Sequence, residues 1–316
     1  MAEHLNEAVA QSLVAALVAE ALVRVWAINS PHQRFAWRVG SLAGPLVLLP
    51  VFEFVAPLRH SEGFADGPAL FATRHLGAIT VWGIGFDRLW PWPVWALGAL
   101  LLGRDLWPLL FQKGRALPQE AGPAPAAVTA AVARLCAARH LVPPRVALVR
   151  APSPLLLCVG ARRPRLLVSD GLLGVLDETE LEAALAHELS HVFHRDVLWG
   201  WLLLGVRVLQ VFNPVAQVVG RLAALELEMR ADADAAQWTG RPATLASAVL
   251  KVYGDAPGWP PMGELTLADR LQEARTAAME SRCRRLLAPV DPNTAPGPGL
   301  STAAALGIGA LLFFIT

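Results

Sequence analysis

His187-Glu188-Leu189-Ser190-His191 lies near the end of a run, Asp177 to Asp196, that reads as one α-helix. Its start is marked by a reciprocal cap: Asp177 can accept from the first turn, while Glu180, three residues on, reaches back to the Asp177 N–H. On a helix, positions i and i+4 share a face, so the imidazoles of His187 and His191 can converge on one metal ion. Glu188 follows the first imidazole and is placed to reach a water on that ion. A carboxylate there can take the proton as the water attacks a carbonyl, a reaction that zinc favours by lowering the water's pKa to about 7.

Such a centre needs a third protein ligand and one open position. His194 projects within about 20° of His187 on a helical wheel but lies about 10 Å farther along the axis, too far to share an ion while the helix continues. The metzincin spacing also fails, since it asks for Gly where His194 stands and His where Val197 stands. His194, Arg195 and Asp196 read instead as the end of the helix or as headgroup contacts. Glu228, in Glu228-Met229-Arg230-Ala231-Asp232, is the better third ligand, and Glu226 is its rival. One turn beyond Glu228, Asp232 can hydrogen-bond the outer nitrogen of a ligating histidine. The chain between is apolar from Val197 to Leu227 and broken at Asn213-Pro214, a turn signal. Two half-length helices joined there predict a re-entrant hairpin over 197–227 that returns Glu228 to the side the chain left.

Upstream, Arg145–Arg150, Leu155–Gly160 and Arg165–Ser169 read as three short strands between Pro and Gly punctuation. Leu155, Leu156, Leu157, Cys158 and Val159 are candidates for binding an extended peptide by strand addition; an internal strand is the alternative. Arg115–Pro125 reads as a linker, Ala126–His140 as a helix. Downstream, Ala243–Tyr253 and Leu267–Leu287 read as helices and Ala288–Gly299 as a second linker.

Composition places the rest in a bilayer. Apolar residues make up 54% of the chain and charged residues only 17%, and eleven Trp against one Tyr suit anchors at the interface. Spans are predicted at Ala8–Ile28, Val39–Leu58 and Trp90–Phe111, with an interfacial amphipathic helix over Leu70–Leu89 and a closing span at Leu300–Ile315. Acidic residues precede the first run, so it reads as a retained span and not a signal peptide. The organisation expected is thus a transmembrane region at 1–112, a zinc domain at 113–290 that includes the hairpin, and a last membrane helix at 299–316. A net charge of +1 argues against nucleic acid as a direct partner. Cys136, Cys158 and Cys283 are widely spaced and read as single thiols in a reducing compartment.

Ser153-Pro154, Gly160, Pro164, the His187–Asp196 stretch, Phe212-Asn213-Pro214 and Glu228–Asp232 together resemble the BlaR/MecR-type membrane metallopeptidases of gluzincin type. The resemblance covers about Arg145 to Tyr253. It implies a mainly α membrane protein with a small α+β zinc-metalloprotease domain, one zinc ion on His187, His191 and Glu228, and Glu188 as the base. It further implies a protease domain on the cytoplasmic side of the inner membrane and cleavage of a protein substrate, a winged-helix repressor in the best-known members. Those members carry a penicillin-binding sensor after the last span; this sequence stops at Thr316, so β-lactam sensing does not carry over. The heat-shock and CAAX prenyl protease family is similar around the same motifs, but usually places two full spans between the second histidine and the glutamate. The expectation is a membrane zinc endopeptidase that cleaves a cytoplasmic regulator, contacts lipid and leaves room for a homodimer. Membrane-protein quality control and a non-catalytic scaffold are the rival readings.

Overall fold

The computed structural model describes residues 2–72, 79–111, 119–254, 280–288 and 297–316. The expected helix over Leu267–Leu287 is therefore seen only from residue 280, and most of the second linker lies outside the described residues. The chain forms two compact units. One comprises Met1–Lys113, Gly200–Glu226 and Asp291–Thr316; the other comprises Gly114–Trp199 and Leu227–Val290.

The first unit is helical. Helices α1 (Ala2–Val25) and α2 (Pro31–Val55) pack along each other, and both are long and apolar enough to cross a membrane. A 3₁₀ turn (Pro57–His60) and a one-turn helix α3 (Glu62–Ala65) follow. The interfacial helix expected over Leu70–Leu89 is not formed in its described part. Thr80–Val81 (β1) and Ile84–Gly85 (β2) instead make a two-stranded ribbon, followed by the single turn α4 (Phe86–Leu89). The reason is local. Trp82 and Gly83 both take positive φ, 52° and 79°, which is the hairpin turn that Gly-containing pairs favour and a helix cannot contain.

The third run becomes α5 (Pro91–Phe111), and the closing run becomes α12 (Pro298–Phe313), sixteen residues long. Ala15, Leu312 and Ile315 form a core where α1, α2 and the chain's last residues meet. Beside it, Arg59 is fully buried. It donates to Glu7 and to the Phe313 and Ile315 carbonyls, which removes the cost of placing a lone charge in an apolar interior.

The polar residues of the hairpin also pair within this unit. Asn213 caps the second arm through Oδ1, which accepts from Val215 and Ala216, with Pro214 at the first helical position where its missing N–H costs nothing. Asn213, Gln210 and Gln217 are buried and bonded to one another's side chains or backbone and to Ser12. The polar groups of this buried turn are thereby satisfied within the protein. Asp105 of α5 accepts from both Arg207 and Arg221, the latter at 2.6 Å.

The second unit holds a four-stranded sheet of order β3-β4-β6-β5: β3 (Glu120–Pro123), β4 (Arg145–Val149), β5 (Leu156–Val159) and β6 (Arg165–Ser169). The last three are the predicted strands. β3 replaces the end of the expected linker and pairs antiparallel with β4 across a register shift at Glu120/Gly122. β4 and β6 are parallel, β5 is antiparallel to β6, and β5 is an edge strand. The sheet packs its Val146, Leu166 and Val168 against Val128, Val132 and Cys136 of α6 (Ala126–Ala137), Leu172 of α7 (Asp170–Val175), and Leu185 and Leu189 of α8 (Glu178–His194). Helix α8 begins with the predicted reciprocal cap between Asp177 and Glu180. Then follow α9 (Asp196–Leu209), α10 (Pro214–Thr239) and α11 (Pro242–Gly254), with residues 280–287 helical again. α9 and α10 each begin or end in the first unit, so the 200–226 hairpin groups with α1 and α2 and not with the sheet.

Candidate metal centre

α8 presents His187 and His191 from successive turns, with their rings perpendicular and their Nε2 atoms 3.2 Å apart. α10 brings Glu228 opposite, its carboxylate oxygens 3.6 Å from His187 Nε2 and 3.8 Å from His191 Nε2. These three are the one group of His, Cys, Asp or Glu among the described residues whose ligand atoms all come within 4.8 Å of one another. Tetrahedral zinc with bonds of about 2.0–2.1 Å needs donors about 3.3 Å apart, so the donor set fits that ion in kind and spacing. Glu226, the rival, is turned away. It is buried in the first unit, where Arg38 donates to it at 2.5 Å and Arg34 lies 3.1 Å away.

The outer nitrogens of both histidines face carboxylates. His187 Nδ1 lies 3.0 Å from Asp232 Oδ1, at ion-pair distance although its N–H points off the line to the oxygen. His191 Nδ1 is 2.8 Å from Asp196 Oδ2. Asp196 therefore does more than end the helix, which corrects the sequence reading. The device that aims it is Arg195, which adopts φ 55°, ψ 43° between α8 and α9 and swings the next side chain back over His191. A non-glycine residue in that left-handed region is held there by its surroundings, and such strain gathers at functional sites.

Arginines stand behind both carboxylates. Arg230 donates to Asp196, and Arg282 donates twice to Asp232, each bond 2.7 Å long. His194 is not among the converging donors; its Nε2 is 2.8 Å from Asp234 Oδ2, which also accepts from Ser190 at 2.6 Å. No local pattern points to Arg282, and only the i+5 position of Asp196 relative to His191 could have suggested its role.

Charge in the pocket favours a cation. Burial works against a charged His187, but Asp232 and Glu228 outweigh it and raise its pKa to about 10. The same contacts act in reverse on the acids. Burial raises Glu228, yet His187, His191 and Arg282 bring it down to about 2. Asp232 is held well below the carboxylate range, burial being overcome by Arg282 and then His187. Glu188 differs. Burial lifts it above the ordinary glutamate value despite the two histidines, and its Oε2 accepts a 3.1 Å bond from the Cys158 N–H.

That bond links α8 to the sheet edge. In the antiparallel β5–β6 ladder, main-chain groups point alternately toward the partner and away from it. Leu155 bonds inward to Ser169, so Leu157 and Val159 also face β6, while Leu156 and Cys158 turn their N–H and C=O off the free edge. The five candidate residues of this strand thus divide into two sets, and the outward set lies beside Glu188.

The sequence profile of the BlaR1 peptidase M56 family matches residues 92–255. Similar proteins include a "Protease HtpX homolog" from Acidiphilium cryptum, 34% identical over 40% of this chain and 55% of that protein. "Protease HtpX homolog 2" from Methanosarcina mazei is 32% identical over 39% of this chain and 53% of its own length. "Protease HtpX homolog 1" from Streptomyces coelicolor is 32% identical over 50% and 64%. The chain thus spans from about half to just under two thirds of the length of these curated relatives. The family match takes in α5, the whole sheet, both histidines, Glu188, Glu228 and Asp232, and with more than half of the sequence covered, this chain belongs to the BlaR1 peptidase M56 family.

Proposed function

We propose that this protein is a membrane-bound zinc endopeptidase that cleaves a cytoplasmic regulatory protein. The observation that carries the reading is the convergence of His187, His191 and Glu228 beside Glu188 and the free edge of β5. In this reading the two histidines and Glu228 hold one zinc ion, and Asp196 and Asp232 keep the imidazoles turned toward it. Zinc in such a site supplies Lewis acidity to a peptide carbonyl and its attacking water. An extended peptide adds to β5 through the outward N–H and C=O of Leu156 and the C=O of Cys158, which sets its carbonyl near Glu188. Glu188 takes a proton from the water and returns it to the leaving amine, the two transfers open to a carboxylate placed beside both. Strand addition reads backbone, so it requires a segment that can unfold locally, as a linker in a repressor can. The family resemblance supports a winged-helix repressor as that substrate.

Glu188→Ala should keep zinc and fold but lose cleavage, by about 10²- to 10⁴-fold, the usual worth of a positioned base. Zinc content and processing of a co-expressed substrate measure both. Cleavage at the wild-type rate by this variant would overturn the assignment.

A further inference from the structure

Arg282 lies far downstream of both ligand helices, yet it reaches the centre of the site. Its Nε donates to Asp232 Oδ2 and its Nη2 to Asp232 Oδ1, both at 2.7 Å, a parallel fork. Oδ1 is also the atom that faces His187 Nδ1 at 3.0 Å. A third nitrogen, Nη1, lies 3.6 Å from Glu228 Oε2. One guanidinium thus touches the partner of one ligand and approaches a second ligand. Its side chain is 14% exposed and two of its nitrogens are committed to Asp232, which leaves it poorly placed to receive substrate.

The backbone that carries it is anchored on the same helices that carry the ligands. Cys283 packs with Ala183 and Ala186 of α8, Ala235 of α10, and Leu245, Ala246 and Val249 of α11. Arg285 approaches Met229 Sδ at 2.9 Å. The fork therefore starts from a docked segment and not from a loose chain.

We infer that Arg282 is a positioning residue of the metal centre, which acts through Asp232 to fix the His187 ring and so tightens metal binding. The inference rests on the zinc reading above. A buried carboxylate held by a planar fork cannot rotate about its last bond, and Oδ1 stays aimed at the imidazole. Lysine would supply the charge without the plane. Such outer partners typically govern metal affinity by about 10- to 100-fold.

The test is zinc affinity, measured by competition with a chelator on the purified full chain. The set is wild type, Arg282→Gln, Arg282→Lys, Asp232→Asn and the double variant Asp232→Asn/Arg282→Gln. Arg282→Gln should weaken zinc binding about 10- to 100-fold, and the double variant should be no weaker than the worse single one, because both changes remove the same restraint. Arg282→Lys should recover only part of the loss. Wild-type affinity in Arg282→Gln, or effects that multiply in the double variant, would overturn the inference. Should Arg282→Gln fail to melt cooperatively, Arg282→Lys decides alone: unchanged affinity in it rejects the fork. His191→Ala separates the two readings. Zinc kept by that variant rejects the metal site itself, whereas zinc lost there but unchanged in Arg282→Gln rejects only the role of Arg282.

Discussion

Glu226 and Glu228 stand two residues apart on one helix, and what each meets decides its part. Glu228 faces two imidazoles that lower its pKa; Glu226 faces two guanidiniums in the membrane unit. Glu228→Ala should therefore abolish stoichiometric zinc while leaving the membrane helices assembled. Glu226→Ala should retain zinc but leave Arg34 and Arg38 without their buried counter-charge, at a cost of about 3–5 kcal/mol if nothing relaxes. Metal analysis and thermal melting of both variants check this; greater zinc loss from Glu226→Ala would transfer the ligand role. The sequence narrowed the choice to these two residues but could not separate them, because their distinct partners come from α2 and α8. For the same reason Asp232 was legible, one turn from a ligand, and Arg282 was not. Spacing reports neighbours on a helix, and Arg282 becomes a neighbour only through packing.

Elements with strong local signals were legible. The cap of α8, the turn at Asn213-Pro214 and the three punctuated strands all formed where residue type demanded them. β3 was not legible, because Glu120-Ala121-Gly122-Pro123 contains no strong strand former and owes its pairing to the edge of β4. The ribbon at β1–β2 was misread because an apolar run alone does not tell helix from strand, and the Trp82-Gly83 turn decides it. The edge position of β5 yields a prediction at this scale. Cys158 turns its N–H away from the ladder, so proline there breaks no strand pairing, as edge strands allow. Cys158→Pro should keep zinc and melt near the wild-type temperature, yet lose at least about tenfold in kcat/KM, since the N–H that holds Glu188 beside the strand-adding edge is gone. Unchanged cleavage of a peptide substrate would remove β5 from the binding site.

For the whole molecule, the question is which side of the membrane the metal centre faces. Arg24 and Arg34 flank the turn between α1 and α2, which makes that end of the membrane unit the basic one. Glu226, the last residue of this unit before the chain enters the second unit, is held by Arg34 and Arg38 of that same region. The chain therefore leaves the membrane unit at its basic end. Under the proposed function this end faces the cytoplasm, and the tendency of positive charge to stay on that side supports it. Among the described residues the opposite end holds the exposed Arg88, which opposes the bias, and Arg59, which would oppose it further if it were free. Arg59 is instead buried against Glu7 and the last carbonyls, and so adds little to the charge exposed at that end. Trp82 marks that opposite end, following α2 and preceding α5, and it is almost fully exposed. In a chain cleared of Cys136, Cys158 and Cys283, a cysteine replacing Trp82 should react with a membrane-impermeant reagent in intact cells. One replacing Ala121, on exposed β3, should react only after permeabilisation. Labelling of Ala121→Cys in intact cells would put the metal centre outside and remove any cytoplasmic regulator from its reach.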